Sequence, residues 1–411
     1  MDGYESSALS GSYDIEKSET QRSRRPPNPK SFSFSFLNQD NVNDEIRTIS
    51  FADRHHFSVM SQMHGSVWPD VLLYCMANTV LTGILWYTIK ISDWDLSVNP
   101  IGHHFIGILV SFLLIGKLQS IYARFMEARL HLADLCRNSR EMVHYLCVLT
   151  MHDQSEDAAN WRREVAFRVI MLLKVTISAL GYKSTKLHPW NLQDLGDKHK
   201  ESLKGIFLSL EDKTEHDKEK YKDETVRAPF VMALELRMAI LEQRLNKDLN
   251  HRLFHRHPCN EELKICDFVC SYVSAYQELI KLIETPYPFP LIQMARTFLF
   301  FWVFTLPFAL LNNTYDLYEV LFMIFLMTYG FIGLERVSVE MEDPFGDDPC
   351  DFDDLGLAQL VFEDIYIALC KCDGLNSAYL LRKQILTRIK KIYKRTSASK
   401  HDYGSLKGVN E

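Results

Sequence analysis

The chain has 411 residues, 47% of them hydrophobic and 12% aromatic, which is enough material for one or two cores. A formal net charge of -7 gives no basis for a nucleic-acid partner. Nine cysteines, an odd total without a C-x-x-C pair, read as reduced thiols rather than a disulfide framework.

The first segment, `MDGYESSALSGSYDIEKSET`, is polar and acidic and shows no cleavable signal; the Ser-rich, Arg- and Pro-punctuated arm over 1–45 is expected to be disordered. Two apolar runs follow, `VLLYCMANTVLTGILWYTIKI` (71–91) and `IGHHFIGILVSFLLIGKL` (101–118). Then comes a long middle segment, about 120–284. In it `EVAFRVIMLLKVTISAL` and `FVMALELRMAILEQRL` repeat apolar residues at helical spacing, separated by the charge-dense `GDKHKESLKGIFLSLEDKTEHDKEKYKDE`. The string `HRLFHRHPCNEELKICDFVC` gathers His251, His255, His257, Cys259, Cys266 and Cys270, but only His251 with His255 has a convincing zinc spacing, so a helix–loop–helix with incidental ligands is the better reading.

Two further runs, 290–311 and 317–334, complete a set of four, each near the roughly 20 residues that cross a bilayer as a helix. Four buried helices of a soluble protein are the weaker alternative. Arg296 and Glu319 sit near span ends, where they can reach the interface or face protein. The connections `SDWDLSVNP` and `NNTYD` lack Lys and Arg, whereas Arg54, Arg124, Arg129, Lys281 and Arg336 flank the opposite ends. By the positive-inside rule both termini and the middle segment are cytosolic. After the fourth run stands `EDPFGDDPCDFDDL`, and the chain closes on the basic `LRKQILTRIKKIYKR`, suited to anionic lipid.

Motifs for phosphate binding, zinc hydrolysis or a nucleophile elbow (G-x-x-x-x-G-K-[ST], H-E-x-x-H, G-x-S-x-G) are missing, so no enzyme is expected. No internal repeat is evident, which weakens a transporter reading.

Four strings in order, `HGSVWPDVL`, `YARFMEAR` (122–129), `TPYPFPLIQ` and `EDPFGDDPCDFDDL`, resemble the bestrophin family of pentameric anion channels, nearer its microbial and plant branch. The resemblance implies an all-α integral membrane protein with four transmembrane helices per subunit, a helical cytosolic domain and a pentameric arrangement around a central pore. The channel domain is placed at 46–370 and the basic tail at 371–411. The second span would line an apolar neck at Ile101, Phe105 and Leu109, one helix face at i, i+4 and i+8. Phe230 would form a second, cytosolic constriction. Departures from the family pattern are Leu109 in place of an aromatic, Gly102 where a proline is usual, with Pro100 displaced so that a helix break stays open, and Lys117 in place of Arg.

The acidic turn offers carboxylates and carbonyls on a chain bent by Pro344, Gly346 and Pro349, chemistry that suits Ca2+. By resemblance to the calcium clasp of animal bestrophins, Asp348 and Asp351 supply carboxylates, and Glu340 and Asp343 supply carbonyls. An acidic helix start at Asp353 and Asp354 is the alternative. The expected function is a passive channel for chloride or another small monovalent anion such as bicarbonate or nitrate, with Ca2+ regulatory and no organic cofactor. A cation pore of the same architecture and a non-conducting membrane scaffold are the rival readings. His103 and His104 beside the neck suggest proton sensitivity, although hydrogen-bonded histidines are commoner there.

Overall fold

The computed structural model describes residues 65–92, 100–182, 188–192, 195, 197–208, 221–243, 254, 258–311, 316–346 and 350–405. The arm at 1–45, the histidines 251, 255 and 257, and Asp348 lie outside them. All regular structure among the described residues is helical. The α-helices are α1 (Trp68–Ser92), α2 (Pro100–Thr150), α3 (Glu156–Leu180), α4 (Asp197–Leu208), α5 (Tyr221–Glu242), α6 (Pro258–Glu284), α7 (Phe289–Leu310), α8 (Leu317–Glu340) and α9 (Asp354–Ser405).

Four of these, α1, α2, α7 and α8, are long and apolar enough to cross a membrane, at the four places the sequence indicates. They enclose one small core, in which Val71, Val110, Leu299, Val303 and Ile324 meet. Much of their remaining apolar surface is exposed, as expected of helices that face lipid or other subunits. A buried polar side chain helps tie this bundle together. Buried Asn78 on α1 donates to the Val303 carbonyl (3.1 Å) and to Thr328 Oγ1 (2.8 Å), tying α1 to α7 and α8.

The second, larger core belongs to the helical domain and draws on α2, α3, α5, α6 and α9, with Leu135, Phe167, Leu236, Tyr272 and Ile365 among its members. α2 is common to both cores. Its 51 residues, at about 1.5 Å each, form a rod of roughly 75 Å. Pro100 is its first residue, where a proline costs no hydrogen bond, and neither Gly nor Pro occurs between Lys117 and Thr150. Hence the helix break left open near Gly102 does not occur: α2 is continuous, and the span expected over 101–118 runs straight into the first domain helix.

Arg162 locks the lower end of this rod. It is fully buried, donates through Nε to both carboxylate oxygens of Asp373 (2.9 and 3.0 Å), and reaches the Thr150 and Asp153 carbonyls at 2.8 and 3.0 Å. These carbonyls belong to the unsatisfied end of α2 and the turn after it, so one guanidinium caps a helix and neutralises a buried carboxylate. Ser155 then caps α3 by accepting from Ala158 N–H. α9 kinks at Gly374, whose φ of 82° is in the left-handed region. Beyond the kink Ala378, Leu381 and Ile385 still bury in the domain core, so the packed part continues past residue 370, where the sequence reading began the tail.

Candidate pore helix and acidic turn

Ile101, Phe105 and Leu109 lie in the first turns of α2 and are 62%, 70% and 45% exposed. Ile108 and Phe112 are 68% and 75% exposed on the same helix. At about 100° per residue, Phe112 falls between Ile101 and Phe105 in projection, while Leu109 stands at the margin of the stripe. Phe112, an aromatic about one turn beyond Leu109, thus belongs to the same exposed stripe although the sequence reading did not single it out. Gly107, Val110, Leu114, Lys117 and Ile121 are buried on the opposite face, about half a turn away.

That opposite face is bolted down. Gly107 lets Trp302 of α7 approach so closely that a Cβ there would stand 3.0 Å from two indole atoms. Trp302 Nε1 donates to the His103 carbonyl (3.0 Å), and the His103 ring pairs with the Trp302 carbonyl at 3.1 Å while stacking on the indole. His103 is thus hydrogen-bonded between helices. Lys117 is buried and donates to Glu335 Oε1 on α8 at 2.6 Å, and Arg296 of α7 reaches the same oxygen at 2.8 Å. Three spans meet in this cluster, and Lys117 acts as an interhelical tie.

The `YARFMEAR` string explains itself in the structure. Arg124 donates to the Leu282 and Thr285 carbonyls (2.7 and 2.6 Å) at the end of α6. Phe125 packs on Phe352 at 4.5 Å between ring centroids, and the Arg129 guanidinium lies over the same ring at 5.8 Å. Phe352 in turn meets Phe345 edge-on at 5.6 Å, and its N–H donates to the Pro344 carbonyl at 3.1 Å. The acidic turn is therefore clamped by two aromatic residues onto α2, roughly four to six turns below Leu109.

Within the turn, Glu340 is the last residue of α8 and Asp351 is buried just before α9. The Asp351 carboxylate folds beneath Gly346: a Cβ there would stand 2.8 Å from Asp351 Oδ2 and 3.4 Å from the Asp343 carbonyl oxygen. The structure thus brings Asp351 and the Asp343 carbonyl together. Among the described residues no three His, Cys, Asp or Glu side chains converge as metal ligands. The pair nevertheless suits a hard cation, because both donors are oxygen and the glycine keeps side-chain carbon out of the cradle. Asp353 has a different task, capping α9 by accepting from Gly356 N–H at 2.8 Å.

Phe230, on α5, is half-buried and meets Tyr276 edge-on at 5.5 Å. Tyr276 OH donates to the Val226 carbonyl at 2.7 Å, so the aromatic pair fixes α5 to α6 beside the buried Pro229. Cys259, Cys266 and Cys270 are carried on α6, with Cys259 and Cys270 exposed.

Residues 48–365 match the family described as bacterial/fungal bestrophin protein. A voltage-dependent anion channel-forming protein of Nostoc sp. is 23% identical over 308 residues, covering 74% of this chain and 88% of the relative. A protein of the same description from Salmonella typhi is 23% identical over 302 residues, covering 71% and 84%. Among solved structures, a bacterial bestrophin homologue from Klebsiella pneumoniae superposes with a TM-score of 0.57 at 17% identity, covering 73% of this chain and 97% of that one.

Proposed function

Since the chain belongs to the bacterial and fungal bestrophin family, we propose that it is a passive anion channel, built as a pentamer with α2 innermost. It is a channel and not an enzyme, in keeping with its family and with relatives named for forming anion channels. The observation that carries the proposal is α2 itself: an unbroken helix with an exposed apolar stripe on one face and a helix-packed opposite face. Ile101, Phe105 and Leu109 form the neck, in which an apolar ring holds back ions by dewetting and the electropositive edge of Phe105 favours an anion that has shed water. Phe230 contributes a second narrowing in the helical domain. The permeant ions are chloride and other small monovalent anions such as bicarbonate or nitrate.

Ca2+ belongs to the same proposal, held by the carboxylates of Asp348 and Asp351 and the carbonyls of Glu340 and Asp343. When bound, it supplies positive charge to a turn crowded with carboxylates. The chain's own contribution is mechanical. Phe345 and Phe352 carry the state of the turn to Phe125 and Arg129 on α2, a contact chain that can bias the pore helix only if the turn differs between open and closed states.

The test is the reversal potential of the purified channel in liposomes under separate anion and cation gradients. A potential that follows chloride supports the proposal. One that follows the cation makes it a cation pore, and no current makes it a scaffold.

A further inference from the structure

Between α1, α7 and α8, at the end of the bundle adjoining the helical domain, lies a groove of about 600 Å3. Its polar end is formed by Asp70, Arg296, Glu335 and Arg336, and its wall includes Leu73 and Phe300. Arg336 donates through Nε to Asp70 Oδ2 at 2.6 Å, closing one side. Glu335 is only 7% exposed; Oε1 takes both Lys117 and Arg296, whereas its second oxygen, Oε2, is buried without a hydrogen-bond partner. A buried acceptor in that state can take a donor from outside the chain.

The charges define what fits. Three cations, Lys117, Arg296 and Arg336, face two anions, Glu335 and Asp70. The cluster as a whole carries one excess positive charge, with two half-exposed guanidinium groups and, on a lining residue, a buried carboxylate oxygen without a partner. A phosphodiester answers the guanidinium groups, and a hydroxyl or amine on the same molecule answers Glu335 Oε2. The walls belong to membrane-spanning helices, with Leu73 exposed beside the charged end, so an acyl chain has apolar surface to lie against.

We propose that this groove binds an anionic phospholipid whose headgroup carries hydrogen-bond donors, its phosphate on Arg296 and Arg336 and its donor on Glu335. The site is separate from the pore helix's exposed stripe and from the acidic turn, and its occupancy is measurable without any current.

The full-length channel, purified in detergent and stripped of lipid, is offered dioleoyl phosphatidylglycerol, dioleoyl phosphatidylcholine or soluble glycerophosphoglycerol, and bound molecules are counted by native mass measurement. One phosphatidylglycerol per protomer is expected, with at least tenfold weaker retention of phosphatidylcholine, which shares the phosphate but lacks a donor. Arg336→Gln and, separately, Arg296→Gln should each weaken phosphatidylglycerol retention about tenfold. The two variants break different ion pairs, and either one that folds suffices for the comparison. Equal retention of the two lipids, unchanged retention in a folded variant, or equally tight binding of the soluble headgroup overturns the proposal.

Discussion

Gly107→Ala would place a methyl group 3.0–3.1 Å from three atoms of the Trp302 indole, on the packed face of α2 between Phe105 and Leu109. Carbon atoms prefer about 3.5–4.0 Å, so Trp302 must yield by roughly 0.5 Å. It has little room: Phe331 lies 4.6 Å from its ring, its Nε1 donates to the His103 carbonyl at 3.0 Å, and its own carbonyl is engaged by the His103 ring. Overpacking of this kind costs about 1–3 kcal/mol, partly offset by the roughly 1 kcal/mol that alanine gains over glycine in a helix. Gly102→Ala supplies the control, since it lies on the same helix and its Cβ would meet nothing within 4 Å. The difference between the two variants isolates the clash, about 1–3 kcal/mol, or roughly 1–4 °C in Tm for a chain of this length, read by thermal unfolding of the purified channel. Gly107→Ala should also alter conductance, because the helix or the tryptophan must shift beside the neck. Equal Tm for the two alanine variants would refute the close approach of α2 and α7.

Replacing Ile101, Phe105 and Leu109 together by alanine should widen and wet the neck, raise conductance and loosen discrimination among anions in bilayer recordings; unchanged selectivity in a folded triple variant places the neck elsewhere. Asp348→Asn with Asp351→Asn should shift calcium activation to at least tenfold higher calcium with single-channel conductance intact, and full wild-type current in chelator would reduce the turn to a structural clamp. Burial works against the charge on Glu235, but hydrogen bonding and the positive charge of His199 prevail, with Ser202 assisting, and hold the carboxyl below its ordinary range. A depressed carboxylate stabilises above its unfolded pKa of about 4.3. The contribution is lost as pH falls through the folded value, so unfolding scans below about pH 4.3 should show a steeper loss for wild type than for Glu235→Gln; parallel curves would refute the pairing.

The spans were legible because four apolar runs of bilayer length leave few alternatives, and the continuity of α2 follows from a stretch without Gly or Pro after Lys117. Ile101, Phe105 and Leu109 were singled out through the family resemblance, and the extension of their exposed stripe to Phe112 needed the actual azimuth of the buried face. Lys117, Glu335 and Arg296 could each be noticed as a charge near a span end. Their union could not, because it joins positions more than two hundred residues apart in sequence. Arg162 is the clearest miss: in an amphipathic run it reads as a surface charge, yet it is wholly buried against Asp373 beyond the expected domain end. The acidic turn divided as its chemistry dictates, Asp353 to a helix cap and Asp351 to the cradle under Gly346.

A single rod that serves two cores also sets a rule for insertions and deletions. Between Leu114, at the lower part of the membrane bundle, and Leu132, in the domain core, the residue count fixes the rotational phase of one core relative to the other. Adding one residue there would turn the exposed stripe of α2 by about 100° relative to the domain core. Adding seven would leave a residual twist of about 20° but lengthen the rod by roughly 10 Å. Side chains in this stretch can change one by one, whereas its length is held by both cores at once.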